Sequence, residues 1–68
     1  MTNNLKKVRE HNSLTQEQLA NLVSVSRQSI ISIEKGHYVP TTILALKIAA
    51  VLKLEIESIF FLEKKDWQ

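Results

Sequence analysis

The sequence predicts an all-α fold, a compact bundle of about five short helices in one domain. Apolar residues recur at helical spacing through most of the chain, and Ser or Thr stands where helices would begin. The one glycine and the one proline, Gly36 and Pro40, both fall between two such helices. A chain of 68 residues has a small core, so close helix packing or self-association is expected.

The first predicted helix covers residues 4–12, with Leu5 and Val8 facing inward and its charged side chains in water. His11 lies near the end of this segment, where the chain leads into the next helix, and we interpret it as a surface residue. Two predicted helices separate His11 from His37, so the histidines form no ligand pair and no metal site is expected.

Residues 15–36 contain two helix starts in close succession. Thr15 is followed three residues later by Gln18, a capping box in which hydroxyl and amide satisfy free backbone donors. Ser26 is a good cap for the second helix, which leaves only residues 24–25 for the corner. A corner this tight between two short helices predicts a helix-turn-helix motif.

The second helix of this motif has one apolar side and one polar side. Ile30 and Ile33 fall on the inner side. The outward residues that we interpret as reading DNA bases are Arg27, Gln28, Ile31 and Ser32. Arg and Gln form bidentate hydrogen bonds with guanine and adenine edges in the major groove. Ile31 has two interpretations, contact with a thymine methyl group or a lone exposed apolar residue.

Five positions have the spacing of a known family, namely Gln16, Ala20, Val25, Ile30 and Ile33. On these residues, and on the segments VSRQSI and IEKG, the chain resembles the Cro/phage-repressor helix-turn-helix family of XRE type. The resemblance covers about residues 4–61 and is greatest with small stand-alone members typified by the cytolysin operon repressor. It implies a lambda-repressor-like DNA-binding domain. Many relatives have glycine in place of Ser24, and a small polar residue can adopt the same left-handed conformation.

The resemblance also implies contacts with the DNA backbone. It places a phosphate contact at Gln16, where the positive end of a helix dipole favours an anion; an ordinary exposed residue is the alternative. The loop after Gly36 follows the DNA backbone in relatives. The expected phosphate-binding residues are Gln16, Ser26, Lys35, His37, Tyr38 and Thr41. For Tyr38 the alternative is a ring packed over the edge of the core.

Arg9 and Glu34 are expected to form a structural ion pair. In the family, these positions tie the first helix to the end of the DNA-reading helix. A solvated arginine is the alternative. If the pair is partly buried, removal of either partner leaves an unpaired charge behind.

The segment after Pro40 predicts a fourth helix, TILALKIAAVLK, capped by Thr41 or Thr42. Its core stripe is Ala45, Ile48, Ala49 and Leu52, and the residues left over are Ile43, Leu44 and Val51. These leave more apolar surface than a helix of a monomer should expose. A fifth, short helix is predicted from about Ile56 to Phe61.

Apolar and aromatic residues near the C-terminus predict either a last layer of the core or a dimer interface. In the stand-alone relatives the corresponding region, here about residues 54–68, forms a symmetric dimer, and the terminal segments sometimes pair as a short antiparallel ribbon. The interface candidates are Leu54, Ile56, Phe60, Phe61, Leu62 and Trp67, of which about half could be core. A two-fold dimer would set two DNA-reading helices one DNA turn apart, roughly 34 Å.

Charge and composition favour some functions and exclude others. The formal net charge is +2, and the excess lies before Pro40, where five basic residues meet three acidic ones, against four of each after it. The absence of cysteine excludes disulfides, a thiolate zinc site and a cysteine nucleophile. No acid–base or nucleophile constellation is present, so we expect neither an enzyme nor a cofactor or small-molecule ligand. The lack of a signal-peptide core or membrane-length apolar run predicts a cytoplasmic protein.

These features predict a sequence-specific transcriptional regulator that binds double-stranded DNA, most simply a repressor bound to a palindromic operator as a homodimer. Two alternatives stay open. An antitoxin would use the same motif on DNA while its C-terminal face binds a toxin. A protein-interaction module would use the fold without DNA. The outer face of its third helix would lack the hydrogen-bonding residues that this chain has there.

Overall fold

Four α-helices form the framework of the chain in the computed structural model, which describes residues 1–68. They are α1 (Leu5–His11), α2 (Gln16–Leu22), α3 (Arg27–Glu34) and α4 (Thr42–Leu52). Two 3₁₀ helices (Ile56–Ser58 and Lys64–Trp67) and two strands, β1 (Thr2–Asn3) and β2 (Phe60–Phe61), complete the fold. The strands pair antiparallel, with Thr2 opposite Phe61 and Asn3 opposite Phe60. The all-α class is confirmed, and the terminal segments form a short ribbon within one chain.

The helices begin at the residues that the sequence marks as caps. The Thr15 hydroxyl accepts a hydrogen bond from the Gln18 backbone N–H at 3.0 Å, and the Gln18 side chain accepts one from the Thr15 N–H at 2.8 Å, which confirms the capping box. The Ser26 hydroxyl accepts a backbone N–H at 3.2 Å at the start of α3. Of the two threonines at the start of α4, Thr41 is the cap, and it accepts the Leu44 N–H at 3.1 Å.

The corner between α2 and α3 depends on Ser24, which has a left-handed conformation with φ of 60°. A small polar residue does adopt the angle for which many relatives use glycine. Gly36 has φ of 78° at the end of α3, and an added Cβ there would meet nothing within 4 Å. Gly36 is therefore required for its backbone angle and not for space.

The core lies between the helices of the first half and the inner side of α4. Its members are Leu5, Leu19, Ala20, Val23, Ile30, Ile33, Leu44, Ala45, Ile48, Ala49, Leu52, Ile59 and Phe60. All four residues of the predicted α4 core stripe are among them, so that stripe is confirmed. The prediction placed Leu44 outside this core stripe, but Leu44 is only 7% exposed. The buried arc of α4 is wider than predicted because neighbouring positions 44 and 45, like 48 and 49, both face the core.

The predicted fifth helix over Ile56–Phe61 is wrong beyond its first turn. The chain forms a 3₁₀ helix over Ile56–Ser58 and then extends as β2. The cause is pairing with a distant segment: Asn4 donates its N–H to the carbonyl of Ile59 at 3.0 Å, and β1 pairs with β2. A period cannot be read from so short an apolar run, so the residues alone did not reveal the strand, whereas the ribbon expected from the family resemblance is present.

The two ends of the chain meet in what we call the terminal clamp, formed by the Met1 ammonium, Glu63 and Asp66. The ammonium donates to Glu63 Oε1 at 2.7 Å and to Asp66 Oδ1 at 3.3 Å. The Glu63 N–H donates to Asp66 Oδ2 at 2.7 Å. These hydrogen bonds, first that to Glu63 and then that to Asp66, raise the pKa of the Met1 amine. The hydrogen bond from the ammonium lowers the pKa of the Glu63 carboxyl. The pKa of the Asp66 carboxyl is lowered most by the hydrogen bond from the Glu63 N–H and next by the one from the ammonium.

None of the helices combines the length and the apolar character that crossing a bilayer requires.

Candidate nucleic-acid interface

The helix-turn-helix corner brings α2 and α3 into close contact. Ala20 on α2 is 1% exposed, and its carbonyl accepts the Val25 N–H at 3.0 Å across the corner. Ile30 and Ile33 on the inner side of α3 are fully buried. A larger side chain at Ala20 would therefore separate the two helices. The corner fixes the direction in which the other side of α3 points.

The outer side of α3 carries the four predicted base-reading residues. Arg27 and Gln28 at its start are exposed, and Ile31 and Ser32 are half-buried. Gln28 and Ser32 line one open depression together with Tyr38 from the following loop. Arg27 lines a second depression with residues of α2 and α1. The structure thus brings the four residues to one helix, with Arg27 in one depression, Gln28 and Ser32 in another, and Ile31 in neither.

Arg9 and Glu34 lie in direct contact and are shielded from solvent. The Arg9 Nε donates to Glu34 Oε2 at 2.6 Å, and Nη2 donates to Oε1 at 3.3 Å. Their side chains are 7% and 5% exposed, respectively. The third guanidinium nitrogen, Nη1, donates to the carbonyl of Leu14 at 2.7 Å. One arginine on α1 therefore binds both the end of α3 and the loop that enters α2, and the alternative of a solvated arginine is not observed.

Gln16 joins this ion pair, a contact that sequence reasoning missed. Its Nε2 donates to Glu34 Oε1 at 3.1 Å, so the first residue of α2 is linked to the last residue of α3. One amide hydrogen is thus engaged inside the protein, and the other stays available to a phosphate. We call Arg9, Gln16 and Glu34 the α3 brace. No local spacing connects positions 16 and 34, so only the fold reveals this contact.

A second missed contact supports the end of α3 from the N-terminal strand. The Asn3 Nδ2 donates to the carbonyl of Ile33 at 2.9 Å. This carbonyl also accepts the Gly36 N–H at 2.9 Å, in the turn that ends α3. The end of α3 is therefore held by the brace on one side and by the terminal ribbon on the other.

The other predicted phosphate-binding residues are accessible, but some of their side chains already form hydrogen bonds within the protein. Lys35, His37 and Tyr38 follow α3 and are exposed; the Tyr38 ring is 41% exposed, which disfavours the interpretation that it packs over the core. The hydroxyl groups of Ser26 and Thr41 already accept helix-capping hydrogen bonds. Each hydroxyl can still donate to a phosphate oxygen.

The predicted dimer residues separate into two groups. Leu54, Phe61, Leu62 and Trp67 are exposed, by 38%, 40%, 62% and 77% respectively. Ile56 packs partly against the core, and Phe60 is 8% exposed and belongs to it. Phe60 is therefore a core residue, and its assignment as an interface residue is wrong for this chain. The alternation along β2 explains the difference, because successive side chains of a strand point to opposite faces.

The chain offers no cluster of three or more His, Cys, Asp or Glu side chains that could hold a metal ion.

The helix-turn-helix family model HTH_3 matches residues 5–59 of the chain, which includes all four α-helices. The chain belongs to this family. It is a DNA-binding transcriptional regulator of the helix-turn-helix class, and the XRE-type resemblance is confirmed. The class is one of DNA-binding proteins and not of enzymes.

Relatives of similar length match nearly the whole chain. An uncharacterized HTH-type transcriptional regulator of Methanocaldococcus jannaschii, MJ0272, is 52% identical over 66 residues, which cover 97% of this chain and 100% of the relative. The uncharacterized HTH-type transcriptional regulator YgzD of Bacillus subtilis is 41% identical over 66 residues, with the same two coverages. Among solved structures, the restriction-modification controller protein C.AhdI of Aeromonas hydrophila superimposes with a TM-score of 0.76 and 30% identity. That match covers 82% of this chain and 85% of the controller protein.

Proposed function

We propose that this protein is a sequence-specific repressor that binds a palindromic operator as a homodimer. The proposal rests on the exposure of the two residues at the start of α3. Arg27 and Gln28 are exposed, whereas their neighbours Ser26 and Gln16 are engaged in a cap and in the α3 brace. Side chains that can form bidentate hydrogen bonds are thus presented on a helix whose orientation is fixed from behind.

In the proposed complex, α3 enters the major groove with its N-terminal end towards the base edges. Arg27 would read a guanine and Gln28 an adenine, while Ser32 adds a hydroxyl that can donate or accept. Ile31 is half-buried, so only part of its side chain is available to a thymine methyl group. Base reading would therefore be concentrated in the first turn of α3.

Phosphate contacts would flank the groove on both sides of α3. Gln16 at the start of α2 supplies its second amide hydrogen and its backbone N–H. Lys35, His37 and Tyr38 supply donors from the other end of α3, and the Ser26 and Thr41 hydroxyl groups add two more. Such contacts fix register and orientation without reading sequence.

The α3 brace has a functional meaning within this proposal. It ties Gln16, a phosphate-binding residue, to Glu34 at the end of the base-reading helix through a hydrogen bond of 3.1 Å. Docking of α2 on a phosphate would therefore set the position of α3 in the groove. Arg9 stabilises this arrangement, because it neutralises the shielded Glu34 carboxylate.

Dimerisation would double the area in contact with DNA, and the two-fold symmetry of the dimer would match that of a palindromic operator. Two recognition helices spaced by roughly 34 Å fit successive major grooves on one face of DNA. The exposed members of the predicted interface region, Leu54, Phe61, Leu62 and Trp67, lie after α4 and outside α3. Bound at a promoter, the dimer would block polymerase by occupancy, and a regulator of this kind would work in the cytoplasm.

The proposal is tested by selecting bound sequences from a random pool of DNA duplexes with the wild-type protein. The expected product is a palindrome with two half-sites separated by about 10 base pairs, centre to centre. A non-palindromic consensus would contradict the dimeric repressor. Selection of no consensus at all would contradict sequence-specific binding.

A further inference from the structure

Arg27 lies in an open depression to which α1, α3 and the start of α2 contribute, and every side chain that lines it is polar. The lining residues are Arg9, Thr15, Gln16, Glu17 and Arg27. We call this surface the Arg27 depression. Glu17, in the first turn of α2, is its acidic member and is exposed to solvent. A carboxylate therefore lines the same surface as a residue that the proposed function assigns to base reading.

Glu17 and Arg27 carry the two unpaired charges of the Arg27 depression. The guanidinium of Arg9 is already engaged, because its three nitrogens donate to Glu34 or to the carbonyl of Leu14. Glu17 and Arg27 take part in none of the ion pairs of the folded chain. Both side chains are exposed, so both are available to DNA that enters the depression.

Two kinds of DNA group compete for the guanidinium of Arg27. One is the edge of a guanine in the major groove. The other is the DNA backbone, because Gln16, for which a phosphate contact is proposed, lines the same depression. A phosphate is present on every sequence, so an arginine that binds it adds affinity without specificity. Base reading by Arg27 therefore requires a group that disfavours the phosphate.

We propose that Glu17 is this group, a specificity-determining residue that positions Arg27. The inference rests on the DNA binding proposed above and deepens it. The Glu17 carboxylate repels phosphate oxygens and attracts the guanidinium. An arginine has five N–H donors in a rigid fork, so Arg27 can bind a guanine through two of them and still donate to a carboxylate.

Glu17 should then act differently on operator and on random DNA. On the operator, a guanine holds the guanidinium of Arg27 in place, and the carboxylate has a partner of opposite charge. On random DNA, the carboxylate faces the backbone without that partner and keeps Arg27 away from the phosphates. Glu17 thus lowers the affinity for random DNA more than that for the operator, and the ratio of the two affinities rises.

The test is Glu17→Gln, which removes the charge and keeps the size of the side chain. Binding is measured on the selected operator and on random duplex across a salt series. We expect affinity for random DNA to rise about threefold to tenfold, as for one pair of charges near a surface, and its salt slope to steepen by up to about one. The operator affinity should change less. Equal changes on both DNAs would overturn the inference.

The matched control is Glu10→Gln, which makes the same charge change at an exposed position of α1 outside the Arg27 depression. It should leave the operator-to-random ratio unchanged. An equal fall of the ratio in Glu10→Gln would assign the effect to net charge and overturn the role of Glu17. A negative charge in the first turn also stabilises a helix, so urea denaturation is measured on each variant. Partial unfolding would weaken binding to both DNAs alike and would not change their ratio.

A double-variant cycle with Arg27→Ala separates positioning from direct contact with DNA. Selection with Glu17→Gln should relax the preference at the same base pair as selection with Arg27→Ala. In the Arg27→Ala background, Glu17→Gln should change operator and random binding equally, because its effect on specificity passes through Arg27. A further fall of the ratio in that background would show that the carboxylate reads DNA itself, for example a cytosine amino group, and would overturn the positioning role.

The same measurements separate this inference from the proposed function. If the wild type selects no sequence from the random pool, sequence-specific binding fails and the role of Glu17 fails with it. If the wild type selects an operator and Glu17→Gln keeps the wild-type ratio of operator to random affinity, the inference about Glu17 alone fails.

Discussion

The two halves of this domain share one apolar core but differ in the polar contacts that hold their helices. Up to Gly36, the helix-turn-helix half depends on polar contacts at helix ends: two caps, and a shielded brace in which Arg9 binds Glu34 at 2.6 Å. After Pro40, α4 is held mainly by apolar burial, with Ile48 and Ile59 fully enclosed, while polar contacts are confined to the Thr41 cap, the ribbon and the terminal clamp. Polar contacts are directional, so they can fix the angle of α3, whereas apolar contacts are not.

The difference matches the two tasks that the proposed function requires, base reading and pairing with a second copy. Base reading requires that α3 be held at a defined angle, and directional bonds provide it. An apolar surface is suited to pairing with a second copy, and the same helix that closes the core exposes apolar side chains on its other side. Substitutions in each half test whether the two halves have these separate roles.

The largest expected effect is the loss of one partner of the α3 brace. Arg9→Ala and Glu34→Ala should each lower the free energy of unfolding by about 3–5 kcal/mol, since each leaves a shielded charge unpaired. The double variant should lose less than the sum of the two. Urea denaturation at fixed protein concentration measures all three.

The matched control for the brace is Lys6→Ala, an exposed charge on the same helix, which should stay within about 0.5 kcal/mol of wild type. Full additivity of Arg9→Ala and Glu34→Ala would show that the two side chains do not interact in solution. A variant too unstable to measure alone can be compared in the presence of a stabilising osmolyte.

The next effect separates two adjacent phenylalanines of β2. Phe60→Ala should destabilise the protein by about 3 kcal/mol, because the Phe60 ring is in the core. Phe61→Ala removes the same atoms from a ring that is 40% exposed and should lose clearly less. Thermal unfolding at low protein concentration is the measurement, and equal losses would reject the alternation along the strand.

A smaller effect distinguishes the two threonines before α4. Thr41→Ala should lose about 1 kcal/mol, because its hydroxyl caps the helix at 3.1 Å from the Leu44 nitrogen. Thr42→Ala should stay within about 0.5 kcal/mol. The opposite order would place the cap at Thr42.

The smallest effect is the pH dependence of the terminal clamp. Folding lowers the carboxyl pKa values of Glu63 and Asp66. Their contribution to stability is therefore present above the ordinary pKa values of 4.5 and 3.8, and it is lost as the pH falls through the lowered values. The amine pKa is raised, so its contribution is present below 8.0 and is lost as pH rises through the raised value. Fluorescence of Trp67, the only tryptophan, should report an ordered tail between these limits. A flat profile across both limits would argue against the clamp.

The features that the sequence predicted well are local. Thr15 with Gln18, and Ser26 at the second helix start, are recognisable because a cap and its partner lie three residues apart. The left-handed turn at Ser24 is likewise a property of one short segment. The Arg9–Glu34 contact joins residues 25 positions apart, and only the family resemblance suggested it.

The features that the sequence did not predict all depend on distant pairing. Residues 60–61 are extended because they pair with β1 at the other end of the chain, and only the family resemblance suggested this ribbon. Asn3 reaches the end of α3 for the same reason. The Gln16 contact with Glu34 depends on how α2 and α3 cross, which no spacing in the sequence encodes.

The most direct test of the central claim compares Arg27→Ala with Lys35→Ala on the selected operator and on random duplex, across a range of salt concentrations. Arg27→Ala should weaken operator binding by about 1–3 kcal/mol, relax the preference at one base pair and change binding to random DNA little. Lys35→Ala should weaken both and reduce the salt slope by about one. Equal losses on operator and random DNA for Arg27→Ala would contradict the reading of bases by the outer side of α3.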